Sequence, residues 1–185
     1  MVKTMYVVES TFEHCGLTCV VVMRPNFYRC GYVGVPKESS LFGKRMNDHL
    51  EINKADIGDH HVSGTFPLFL TALDSDPRIR LDAYFHCHGG ITYSDGGDGS
   101  DYPIKSDLWW FGFDCGHAGD AQDYESAKRL FADDPEALRH IKWCEELDRK
   151  HPIESDVVRT KEYVESECRT LSEELAAFEK GENNG

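Results

Sequence analysis

The sequence predicts an α+β fold, an antiparallel sheet of about four to six strands packed on C-terminal helices. Three observations predict it. Short β-branched and aromatic runs fill the first half of the chain. A Gly/Asp-rich stretch, SDGGDGSDYP, separates two of the apolar runs as a hairpin loop would. The second half carries apolar residues at helical spacing.

TCVVVM (18–23) reads as a first strand and FYRCGYVGVP (27–36) as a second, which Pro36 should end. Gly31 and Gly34 within it imply a bulge or a close approach by another part of the chain. The stretch 37–80 is the hardest to assign: a polar portion leads into VSGTFPLFLTAL, a strand or a short buried helix. LDAYFHCHGGITY (81–93) alternates as a long strand that breaks at Gly89-Gly90. LWWFGF (108–113) is apolar on both faces, as a central, covered strand would be. Asp120 or Asp123 caps a helix to about residue 132, and Pro135 opens another to about residue 150. Val157, Val164, Cys168, Leu171, Leu175 and Phe178 recur at spacings of seven, four, three, four and three, one apolar stripe on a helix over about 155–180.

The length fits a single domain over 1–180 with a frayed tail at 181–185. A formal charge of −13 argues against bulk nucleic-acid binding, which needs clustered Lys and Arg to neutralise phosphates. It leaves room for a small anionic ligand held locally. Glu9 and Glu13 interrupt what would be the apolar core of a signal peptide, and the run 19–23 is far too short for a bilayer. The expectation is a cytoplasmic protein without a membrane partner. Seven cysteines without a CxxC pair read as free thiols. The long last helix could pair with a copy of itself, so a homo-oligomer is one expectation.

The densest chemistry lies in FDCGHAGD (113–120), where Asp114, His117 and Asp120 are spaced by three and Gly116 and Gly119 oppose a continuous helix. Two carboxylates around an imidazole can perform acid–base chemistry or ligate a divalent metal. They can equally cap turns around a packed histidine. In FHCHGGITYS (85–94), a strand would put His86 and His88 on one face and Cys87 on the other. Gly89 and Gly90 with Thr92 and Tyr93 offer amides and hydroxyls to a phosphate or sugar edge, or simply form a hairpin bend. The aspartates of DGGDGSD (95–101) lack the spacing of a calcium loop and read as solvated. Arg29 could supply fixed positive charge to an anionic ligand. Arg159, Tyr163 and Glu167, at i, i+4 and i+8, lie beside the core stripe and could reach a site at the sheet edge.

Together RCGYVGVP, HGGITYS, DLWWFGFDCGHAGD and RTKEYVESECRTL resemble, in this order, a family of small uncharacterised proteins encoded by phages and prophages. The resemblance covers roughly residues 28–36, 88–120 and 157–175 and implies a mobile-element origin and a shared polar set, not a reaction. His86-Cys87 has no counterpart in that pattern, whereas His88 does.

The function expected is hydrolysis of a small phosphate-bearing or nucleotide-like molecule. His88, Asp114, His117 and Asp120 form the catalytic set and are also the candidates for holding a divalent metal. Asp114 and His117 take acid–base or ligand roles, and Asp120 orients His117. Arg29, Gly89, Gly90, Thr92, Tyr93, Trp110, Arg159 and Tyr163 bind the ligand. One alternative is a non-catalytic sponge for a nucleotide, with Tyr93 and Trp109 or Trp110 for stacking. Another is an acidic inhibitor that occupies a basic groove on a host defence protein.

Overall fold

Strand β1 (Val7–His14) opens a five-stranded antiparallel sheet with β2 (Leu17–Met23), β3 (Arg29–Val35), β6 (Tyr93–Gly96) and β7 (Trp109–Asp114). Its order is β1-β2-β3-β7-β6. The computed structural model describes residues 6–57, 65–99, 101–150 and 156–181. The α+β architecture is the one the sequence predicts. Residues 1–5, 58–64, 100, 151–155 and the tail beyond Gly181 lie outside the described residues, and with them the first residue, Ser155, of the expected last helix.

β7 is an interior strand between β3 and β6, and alternation explains why it is apolar on both sides. Trp109, Phe111 and Phe113 join the core with Val21, Val33 and Val35. Trp110 faces the other side with Val20, Val22 and Tyr32. Helix α5 (Lys161–Glu179) closes the first face with Val164, Cys168, Leu171 and Leu175, all fully buried. The glycines of β3 mark a close approach and no bulge. The register with β2 and β7 runs unbroken, and a Cβ on Gly31 would stand 2.4 Å from the Phe113 ring and 2.6 Å from Cys168 Sγ. The sheet's register shift sits instead in β1, between Val8 and Ser10.

A smaller sheet joins β4 (His49–Asn53) to β5 (Arg78–Arg80), with α1 (Thr65–Leu73) between them. The VSGTFPLFLTAL stretch is therefore a helix over its described part, yet not a buried one: Phe69 and Leu73 are exposed. Residues 81–93 are not a long strand. Leu81–Tyr84 forms a short helix, α2, and Gly89 and Gly90, at φ +70° and +90°, turn the chain before β6 begins. The hairpin of β6 with β7 is present, Tyr93 opposite Gly112.

Asp123 caps α3 (Tyr124–Leu130) by accepting from the Ser126 amide, and α4 (Pro135–Lys150) follows. Before them lies β8 (Asp120–Ala121), which pairs in parallel with β9 (Val157–Val158). This bridge delays the last helix to Lys161, with Thr160 as its cap, so exposed Val157 stands outside the core stripe. Arg159 consequently lies before the helix, not on its face. All seven cysteines are free. Among the described residues no helix is long and apolar enough to cross a membrane.

Candidate functional site

The site forms where three segments meet at one end of the sheet: the loop after α2, the turn after β7 and the start of α5. β7 delivers Asp114 at its last position. The Gly116 amide donates to Asp114 Oδ1 (3.1 Å) and the Thr92 hydroxyl to Oδ2 (2.9 Å), which fixes the carboxylate while leaving it 41% exposed. The turn then closes on itself. The Asp120 amide donates to the His117 carbonyl, and the His117 amide donates to Asp120 Oδ2, both at 3.0 Å.

Asp120 is the anchor. Its side chain is 1% exposed, and it accepts from His88 Nε2 (2.8 Å) on Oδ2 and from Arg159 Nε (2.7 Å) on Oδ1. Burial alone would raise its pKa, but Arg159, then His88 and the His117 amide, outweigh it and hold the carboxyl below its ordinary value. The β8–β9 bridge brings Arg159 here by pairing Asp120 with Val157. On the far side of His88, Nδ1 lies 3.0 Å from the Tyr163 hydroxyl. In the tautomer that gives its Nε2–H to the carboxylate, Nδ1 accepts from the Tyr163 hydroxyl. Burial raises the Tyr163 phenol, which keeps that proton available.

His117 stands beside this chain, its ring centroid 5.5 Å from that of His88. Its Nδ1 lies 3.7 Å from Asp120 Oδ2 and its Nε2 lies 3.8 Å from Asp114 Oδ1. Nδ1 is buried and makes no hydrogen bond. The ring rests on Gly89, where a Cβ would stand 2.4 Å from His117 Cε1. A hollow of about 330 Å³ adjoins the cluster through Asp114 and Thr92, lined also by Arg24, Asn26, Tyr28 and Tyr93. Two larger hollows, of about 490 and 570 Å³, lie around Phe131 and Arg129 and touch neither imidazole.

Compared with protein-family models, with curated proteins and with solved structures, the chain matches none. The site therefore stands on its geometry.

The structure brings His88, Asp114, His117, Asp120, Arg159 and Tyr163 together, with Thr92 on Asp114. Other expected residues have different work. Arg29, 3% exposed, donates to Glu9 at 2.7 Å, to Asp123 at 2.7 Å and to the Arg159 carbonyl at 2.9 Å, so its charge is neutralised inside the protein. Trp110 is 1% exposed, with its indole N–H on Ser106, and offers no stacking face. Trp109 is also buried and donates to the Lys44 carbonyl. His86 does not share a face with His88, because that segment is no strand; it pairs with Glu174 at 2.9 Å. The Gly90 amide is spent on the Cys87 carbonyl, and Gly89 supports His117. Tyr93 lines the hollow but packs edge-on against Tyr32. Among the described residues the aspartates of 95–101 do not gather into a ligand set. Sequence reasoning missed Arg24, Asn26 and Tyr28, although Pro25-Asn26 between two strands marks the turn that presents them.

Proposed function

We propose that the protein hydrolyses a small phosphate-bearing or nucleotide-like molecule, with Asp114 at the reacting end. The observation that carries this reading is the double membership of Asp114. It sits 3.8 Å from His117 Nε2 and also lines the 330 Å³ hollow. Arg24, exposed and steadied by its 2.9 Å bond to the Tyr102 hydroxyl, offers the hollow a positive charge for an anionic group. Tyr28 and Tyr93 flank the rest of the ligand.

In this mechanism a water attacks phosphorus and the bond from phosphorus to the leaving oxygen breaks. Asp114 takes the water's proton and returns it to the departing oxygen, so the net change is one water added across that bond. His117, backed by Asp120 and seated on Gly89, positions Asp114 from its Nε2 side. Burial of Trp109 and Trp110 leaves a nucleotide sponge only Tyr93 of its expected stacking residues, which favours turnover over sequestration.

Incubation with a panel of nucleotides and phosphate esters, followed by chromatography, tests the proposal. At least one compound should be converted, and Asp114→Asn should slow that conversion by about 10²–10⁴-fold without changing the circular dichroism spectrum. Ligand recovered intact in stoichiometric amount would establish sequestration instead. Turnover undiminished in Asp114→Asn would remove Asp114 from the chemistry.

A further inference from the structure

The cluster holds two carboxylates, Asp114 and Asp120, and a single guanidinium, Arg159, which pairs with Asp120. With neutral imidazoles the sum is negative, an unsuitable field for a phosphate. The arrangement of donor atoms supplies the missing charge. His88, His117 and Asp120 each offer a ligand atom within 4.8 Å of the others, and His88 Nε2 and His117 Nδ1 both face Asp120 Oδ2. We propose that these three atoms bind one divalent transition-metal ion of the zinc or cobalt kind, leaving at least one coordination position open.

Metal–nitrogen and metal–oxygen bonds of about 2.0–2.2 Å put ligand atoms roughly 3.3–3.5 Å apart around a tetrahedral ion. The observed 2.8 Å from His88 Nε2 to Asp120 Oδ2 and 3.7 Å from His117 Nδ1 to the same oxygen bracket that spacing. Two imidazoles and one carboxylate suit a borderline ion better than magnesium or calcium, which take oxygen ligands. His117 Nδ1, buried and without a hydrogen bond, gains a partner.

Each ligand also has a polar group beside its outer atom, as metal-binding residues require. Tyr163 meets His88 at its other nitrogen (3.0 Å), and Asp114 faces His117 Nε2 (3.8 Å). Arg159 holds the remaining oxygen of Asp120 (2.7 Å). On binding, the proton of His88 moves from Nε2 to Nδ1, and the Tyr163 hydroxyl turns from donor to acceptor. His117 keeps its Nε2 proton for Asp114, so the role given to Asp114 above is unchanged. As the source of charge for hydrolysis the ion rests on that reading; as a binding site it does not.

The test needs no substrate. Exposed Cys15, beside His14 and Glu173, forms a second set of donors, so the measurement is made in Cys15→Ser. Titration with Co²⁺, followed by visible absorption, should show one bound ion with the intensity of a low-coordinate site, displaced by Zn²⁺. His117→Ala removes a side chain that is 36% exposed, so its loss should leave the fold intact. It should weaken binding at least a hundredfold, and Asp114→Asn about ten- to a hundredfold. Absence of a stoichiometric ion, or equal binding by His117→Ala, would overturn the proposal. Binding without turnover would uphold it while sinking the hydrolytic reading.

Discussion

Gly89 shows how much of this site depends on a missing side chain. Its φ of +70° is one that residues with a Cβ adopt at a cost of about 1–2 kcal/mol. Its Cα is also the surface on which His117 lies, with a Cβ position 2.4–2.9 Å from three ring atoms. Gly89→Ala should therefore do two separable things. Denaturant unfolding should show a loss of about 1–2 kcal/mol from the backbone alone. Cobalt affinity and turnover should fall further, because the imidazole must leave the position between Asp114 and Asp120. Stability lost with the site unaffected would mean that His117 has another seat.

At the scale of elements, Arg29 ties β1, β3 and α3 together through Glu9 and Asp123. Burial alone would raise the Asp123 carboxyl, but the Ser126 amide and the Arg29 guanidinium outweigh it and hold it below the ordinary 3.8. A depressed carboxylate pKa stabilises the fold fully above the unfolded value and loses that contribution as pH falls through the folded one. Asp123→Asn should therefore be less stable than the parent at neutral pH, and the gap should narrow as pH drops below 3.8. Unfolding measured across that range checks it; a constant gap would mean that the charge of Asp123 contributes nothing. The same network explains an error of sequence reading. The sequence offers Arg29 as an available charge because nothing in it marks Val7–His14 as a strand, whereas Glu9 on that strand neutralises it. β1 mixes half-buried and exposed positions and carries Glu9 and Glu13, so no apolar run announces it.

For the molecule as a whole, stability and chemistry occupy different ends of α5. Tyr163 in its first turn meets His88, whereas the buried Leu175 lies close to its other end. Leu175→Ala should cost about 2–5 kcal/mol in unfolding free energy while leaving turnover per folded molecule unchanged. Reduced turnover at full folding would show that the helix transmits strain to its start. The layered fold was legible because alternation and the 3.6-residue period are local signals, as in LWWFGF and the stripe from Val164 to Leu175. Within the site, Asp114, His117 and Asp120 could be read from one short stretch, and their meeting with His88 was anticipated. The route to it was not: the glycine pair turns the loop on backbone angles that no hydrophobic period records. Nor does any pattern reveal that Arg24, five residues before Arg29, faces the hollow.

The parallel pairing of Asp120 with Val157 has a topological effect as well as a local one. It brings the two ends of a long detour, which includes α3 and α4, side by side next to the histidines. α4 buries only Ile141 among its side chains, so evolution can lengthen, trim or redecorate that helix at small entropic expense. The reacting groups would keep their spacing while the protein's outline, and whatever meets it there, changed.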